Sequence, residues 1–281
     1  MLLVSVLAIS WGGPLVRLSS AHAVAVSFWR LAFSVALVAV VLTVRGEWGA
    51  LRRLSRGDLA TAALAGVLLA GHFASWIASL ALTSVAASVL LVSTAPVFVA
   101  VLSALFLRER PGRNQWLGIV LAVAGAAWIG WGDFQGGAAP LRGDLLALAG
   151  AVLVAGYYVI GRRLRARIDI WPFVGVVYGC AALTLLAALP LAGVPLGGYP
   201  AGDWAVFAAL AVGPMLVGHT GQNWALRYLP AYVVNLSLLG EPVGATLIAW
   251  LLPGIAETPP PAALGGGGLI LCGILLGMAR R

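Results

Sequence analysis

Long apolar runs separated by short polar segments fill the 281 residues from one end to the other. They fall at about 2–16, 23–44, 59–81, 84–106, 115–132, 145–161, 172–191, 204–226, 231–252 and 262–279. Most reach the ~20 residues that a helix rising ~1.5 Å per residue needs to cross a ~30 Å hydrocarbon core. The pattern therefore predicts an all-α membrane protein of ten transmembrane helices. The first run is short and starts at Met1 without the basic residues that open a signal peptide, so it reads as a retained helix. The longest polar connections are about 45–57, 133–144, 162–171 and 192–203. Gly136-Gly137, Pro195, Gly197-Gly198, Pro200 and Asp203 mark turns in them. The segment 133–144 is the seam between a first half, 1–135, and a second, 136–281, with five spans each.

The two halves echo one another about 147 positions apart. Gly71-His72-Phe73-Ala74-Ser75-Trp76 leads to Thr94-Ala95-Pro96-Val97, and Gly218-His219-Thr220-Gly221-Gln222-Asn223-Trp224 leads to Gly240-Glu241-Pro242-Val243. Each continues to a Glu near a Pro (Glu109-Arg110-Pro111 and Glu257-Thr258-Pro259), then to Leu117-Gly118 and Leu264-Gly265. An odd number of spans per repeat turns the second upside down relative to the first. Such inverted repeats, with a substrate site at their interface, are the architecture of alternating-access carriers.

Composition supports lipid as the solvent. The chain is 62% hydrophobic and 9% charged, more apolar than one soluble core of this size can hide. The net charge of +8 raises nucleic acid as a partner, but the arginines are distributed otherwise. Arg45, Arg52, Arg53, Arg56, Arg108, Arg110, Arg113, Arg162, Arg163, Arg165, Arg167, Arg227, Arg280 and Arg281 all fall on one side of a ten-span topology. Arg17 and Arg142 fall on the other, and Arg30 lies inside a span. Clusters at helix ends are the positive-inside signature, which predicts cytoplasmic termini in a bacterial inner (plasma) membrane. A nucleic-acid surface would interleave aromatic and polar residues on a solvated face.

Catalytic and metal-binding constellations find little support. Cys180 and Cys272 lie in different spans and read as small packing residues. His22, His72 and His219 lack metal-ligand spacing, so no metal or cofactor is expected. Gly130-Trp131-Gly132-Asp133 matches the motif of intramembrane aspartyl proteases, but no second mid-span Asp could share its proton. No Gly-x-Ser-x-Gly elbow occurs. Gly118, Gly125 and Gly265–Gly268 read as sites of close helix approach rather than a phosphate loop.

Polar residues inside spans are costly in lipid and mark sites or pathways. His72, Trp76 and Ser79 share one helical face, as do His219, Gln222 and Asn223, while Asn235, Leu238 and Glu241 align on a third. Ser93, Thr94 and Pro96 sit in the fourth span, where a mid-span Pro frees a carbonyl and bends the helix. These faces line a cavity or bond between helices. Arg30 either snorkels to the outer interface or turns inward. Glu241 has three open roles: ion pair with Arg30, neutral hydrogen-bonding acid, or proton site. Trp11, Trp29, Tyr157, Tyr158 and Trp224 supply further aromatic surface.

Across its full length the chain resembles the drug/metabolite transporter superfamily, specifically its EamA-type permeases. The resemblance is carried by Ile9-Ser10-Trp11-Gly12, Phe28-Trp29-Arg30-Leu31, Ala95-Pro96-Val97 with Leu107-Arg108-Glu109-Arg110, and Leu239-Gly240-Glu241-Pro242-Val243. The His72/Trp76 face is similar to that of YddG-like exporters of aromatic and other amino acids. One departure is the stiff Pro259-Pro260-Pro261 after Glu257. The resemblance implies a substrate cavity between the halves and export of small metabolites.

The expected function is thus secondary transport of a small amphipathic solute, amino acids above all, by a monomer or homodimer in the bilayer. His72, Trp76, Ser79, Ser93, Pro96, Tyr157, His219, Asn223 and Asn235 are the expected substrate contacts. His72, His219 and Glu241 are the groups able to titrate near neutrality, yet the low cavity charge favours a facilitator or weakly coupled exporter. The rival readings are a membrane-embedded enzyme acting on lipid, a structural scaffold, and a permease for drugs or sugars.

Overall fold

The computed structural model describes residues 1–79, 82–83, 88, 91–131, 140–251 and 261–279. Among these, every regular element is helical: α1 (Leu2–Ser10), α2 (Gly12–Arg17), α3 (Ala23–Val44), α4 (Trp48–Arg52), α5 (Arg56–Ser79), α6 (Ala95–Phe106), α7 (Arg113–Trp131), α8 (Pro140–Arg165) and α9 (Ile170–Leu191). There follow α10 (Ala201–Leu210), a π-helical segment Ala211–His219, α11 (Thr220–Ala225), α12 (Ala231–Ser237), a 3-10 turn Leu238–Gly240, α13 (Glu241–Leu251) and α14 (Pro261–Met278). Six stretches among the described residues are long and apolar enough to cross a membrane: Ala23–Val44, Arg56–Ser79, Leu141–Arg165, Ile170–Leu191, Ala201–Ala225 and Ala231–Ile248. Asp133, Glu257, Arg280, Arg281 and most of 80–90 lie outside the described residues.

The expected runs 23–44 and 172–191 agree with α3 and α9 to within two residues, and short α4 lies unforeseen inside the connection 45–57. The larger departures are breaks. The first run is two helices joined at Trp11. Pro96 does not kink a continuous span: the chain turns at Ser93–Thr94 and α6 starts at Ala95, with Pro96 in its first turn. There its missing N–H costs nothing, because the first turn has no intrahelical acceptor. Pro242 plays the same part in α13, after the 3-10 turn. Pro214 sits inside the π-helical segment. A proline ring crowds the carbonyl four residues back, and a widened turn accommodates it while rotating the downstream residues.

The surface is rich in exposed large apolar side chains, as lipid demands, and a smaller set of polar side chains is buried within a mainly apolar core. Leu3, Val44, Leu105, Phe106, Leu183 and Leu191 are well exposed, whereas Tyr157, Tyr158 and Tyr178 are among the largest fully buried side chains. Buried hydroxyls mostly return to their own helix. Ser10 donates to the carbonyl of Val6 (2.8 Å), Ser27 to Ala23 (2.8 Å) and Ser34 to Arg30 (2.6 Å), which satisfies each without a partner helix.

Helices cross between the two parts of the chain. α7 packs on α14, α3 on α9, and α6 on α12. α5 packs on α8, and α1 on the π-helical segment; α5 also meets α9, and α3 the π-helical segment. The α7–α14 seam is backbone against backbone. A Cβ on Gly118 would lie 2.5 Å from the Gly273 carbonyl oxygen, one on Gly273 equally close to the Gly118 oxygen, and one on Gly125 2.5 Å from that of Gly266. Of the glycines expected to permit close approach, Gly118 and Gly125 do so, whereas Gly268 has nothing within 4 Å.

Candidate functional site

α3, α5, α8, α9, the π-helical segment with α11, and the start of α13 send their polar side chains to one buried cluster. Arg30, at the start of the third turn of α3, is 2% exposed. It does not snorkel: its guanidinium carbon lies 4.2 Å from the centroid of the Phe73 ring on α5, in cation–π contact. The His219 ring also meets Phe73, edge-on with centroids 5.4 Å apart. Phe73 thus contacts both a cation from α3 and an imidazole from the π-helical segment.

His72, the neighbour of Phe73, turns to a different partner. Its Nδ1 lies 3.0 Å from the carbonyl oxygen of Gly150 on α8. A carbonyl only accepts, so Nδ1 carries the proton, and Nε2 of the neutral ring is left as an acceptor. The Trp76 indole lies parallel to this ring, 4° between planes and 6.2 Å between centroids. The two residues therefore share one face of α5, as their spacing implied.

Asn223 on α11 donates through Nδ2 to the Tyr157 hydroxyl and to the His219 carbonyl oxygen (2.8 Å). The Tyr178 hydroxyl is 3.0 Å from Thr220 Oγ1, and Thr220 also donates to the Met215 carbonyl oxygen (3.2 Å), a group of the widened segment. Gln222 reaches Ser237 at 3.5 Å. After these bonds, buried atoms in the cluster remain without a protein partner: Arg30 Nε, Trp76 Nε1, Tyr158 Oη, His219 Nδ1, Gln222 Oε1 and Asn223 Oδ1. In a low-dielectric interior each such group costs about 1–3 kcal/mol. Their concentration in one region distinguishes it from the self-satisfied serines elsewhere.

Of the expected contacts, His72, Trp76, Tyr157, His219 and Asn223 converge here. Ser79 is instead local, bonded to the Trp76 carbonyl (2.6 Å) and Ser88 (2.5 Å). Ser93 is buried in the turn before α6, and Asn235 is buried on α12. Arg30 and Glu241 form no ion pair, though each acts electrostatically on the other. Phe73, Tyr178 and Thr220 were missed in the sequence. The signal for Phe73 and Thr220 was available, since each directly follows an echoed histidine. Tyr178 had none beyond its mid-span position.

Comparison with known proteins gives this cluster a context. The model of the EamA-like transporter family matches residues 1–131 and 141–278. The chain is 29% identical over 187 residues to the uncharacterized transporter YdfC of Bacillus subtilis (strain 168), covering 66% of this chain and 60% of that one. It is 31% identical over 192 residues to a probable terminal-alkyne amino-acid exporter of Streptantibioticus cattleyicolor, covering 66% and 62%. The matches thus span less than two thirds of these relatives' lengths. A solved crystal structure shares the fold over 99% of this chain and 94% of its own, with a TM-score of 0.82 at 21% identity. Helices long and apolar enough to span, a buried polar cluster and a family match over nearly the whole chain lead to one conclusion: this is a multi-pass membrane protein belonging to the EamA-like transporter family.

Proposed function

We propose that the chain is an alternating-access exporter of small amphipathic metabolites, chiefly amino acids and among them aromatic ones. It spans the bacterial inner membrane ten times, as two inverted five-span halves (1–135 and 136–281), with both termini cytoplasmic. A two-fold relation between the halves is supported by packing. Exchanging each first-half helix for its second-half counterpart turns α5–α8 into the α1–π-segment contact, and α5–α9 into the contact of α3 with that segment. The α3–α9, α6–α12 and α7–α14 pairs map onto themselves. A two-fold relation between the halves produces this list, five spans per half would make that relation an inverted one, and rocking of such halves exposes one central site to each side in turn.

The observation that carries the reading is the cluster around Phe73, where Arg30, His72 and Trp76 from one stretch meet Tyr157, His219 and Asn223 from the other. Aromatic faces, an imidazole acceptor and unpaired donors and acceptors suit a solute with an apolar body and a polar end. The named amino-acid exporter among the relatives points to the same solute class. The test is counterflow in proteoliposomes with a panel of labelled amino acids, sugars and hydrophobic cations. The reading predicts exchange of amino acids, strongest for aromatic ones. Exchange confined to sugars or cations would contradict it.

A further inference from the structure

Arg30 is the one described arginine set deep among span residues without a bonded acceptor. The other buried arginine, Arg165, donates to the backbone carbonyls of Asn223 and Ile168. Arg30 is 2% exposed, donates no hydrogen bond, and has no carboxylate within 4.0 Å among the described residues. A guanidinium offers five donors in a planar fork suited to a carboxylate. The Nε of Arg30 is buried without a partner, which is costly, and the Phe73 ring offsets only part of that cost.

Glu241 completes the picture from the other half. It sits partly buried in the first turn of α13, straight after the 3-10 turn. Its side-chain carboxylate accepts no hydrogen bond among the described residues; Ser10 bonds instead to its main-chain oxygen, at 3.4 Å. Arg30 and Glu241 act on one another electrostatically. Yet they stand farther apart than an ion pair, where direct contact would have relieved both.

Two groups of opposite charge held apart, each with its bonding positions open, are complementary to a ligand carrying an ammonium and a carboxylate on one carbon. We propose that Arg30 and Glu241 form a zwitterion receptor, Arg30 taking the carboxylate and Glu241 the ammonium of an α-amino acid, with Phe73 and the His72–Trp76 stack beside its side chain. This rests on the amino-acid reading above and adds which groups of the solute are recognised. A solute lacking either charge leaves one buried partner uncompensated, so discrimination comes from the unpaired group more than from the bond gained.

The experiment is competition against labelled L-phenylalanine counterflow in proteoliposomes. The competitors are unlabelled L-phenylalanine, its methyl ester, which lacks the carboxylate, and N-acetyl-L-phenylalanine, which lacks the ammonium. In the wild-type protein both analogues should compete about tenfold or more worse than the free amino acid. Arg30→Gln should abolish discrimination against the ester while keeping that against the acetylated form, and Glu241→Gln should do the reverse. Equal competition by all three in the wild type overturns the receptor, as does unchanged discrimination in both variants. The wild-type comparison decides even where a variant fails to fold. No counterflow of phenylalanine or any other amino acid would instead remove the amino-acid reading on which the receptor rests.

Discussion

Arg162 Nε donates to Glu109 Oε1 at 2.7 Å, joining the last turn of α8 to the loop after α6. The same guanidinium reaches the carbonyl oxygens of Leu226 (2.7 Å) and Arg227 (3.1 Å), and Glu109 Oε2 accepts weakly from Ala231 N at 3.4 Å. Arg108 ahead of it adopts φ +59°, a left-handed conformation that costs a non-glycine residue about 1–2 kcal/mol. Four helix ends, of α6, α8, α11 and α12, are thus tied at the arginine-rich face by one carboxylate and one guanidinium. In an alternating-access cycle such a knot has to open when the site faces that side.

Glu109→Gln should therefore shift the population toward the state open on the arginine-rich side. The pair is partly exposed, so its own contribution is about 1 kcal/mol, which corresponds to a change of about fivefold in the equilibrium. Thiol labelling of Ala225→Cys, a position now 2% exposed, in a background lacking Cys180 and Cys272, should quicken by a similar factor. An unchanged rate would make the knot a static brace.

The α7–α14 seam gives a prediction with its own control. Gly273→Ala places a methyl against the Gly118 carbonyl oxygen and the backbone of Ala122. Backbone atoms cannot swing aside as a side-chain end can, so a loss of about 1–3 kcal/mol is expected. It should appear as a lower unfolding temperature in detergent. Gly268→Ala meets nothing within 4 Å and should leave that temperature alone. Equal effects of the two would mean the contact is not a limiting one.

Trp76→Ala removes the plate stacked on His72 without touching the Arg30–Phe73 contact. Counterflow of aromatic amino acids should weaken about tenfold in half-saturation, and that of alanine much less. Equal losses for both, or none in a normally expressed protein, would reduce this face to packing.

Much of this was legible from residue pattern because the lipid environment imposes a simple rule on each span. The α3 and α9 limits, the glycine seam and the shared face of His72 and Trp76 follow from helical periodicity and side-chain size. What pattern alone did not convey is tertiary. Phe73 is apolar and lies one position from His72, off the polar face, so only Arg30 arriving from α3 and His219 from the π-helical segment make it central. Pro96 and Pro242 announced irregularity, but whether a proline bends a helix or begins one depends on where the preceding turn ends. Arg162 looked like one charge of a topological cluster. Its role at Glu109 depends on α6 and α8 packing side by side.

The orientation proposed from the arginines is open to a direct check. Ser55→Cys, in the connection that contains α4, should react with an impermeant thiol reagent in inside-out vesicles and stay protected in intact cells. Labelling from outside intact cells would invert the topology.

The central claim is a single site exposed to each side in turn. Proteoliposomes preloaded with unlabelled L-phenylalanine and diluted into a trace of the labelled form, with no ion gradient imposed, test it most directly. A carrier of this kind predicts a transient accumulation of label above its final level, as inward-moving label exchanges with unlabelled solute leaving. A monotonic approach to equilibrium, unaffected by the preload, would contradict the account.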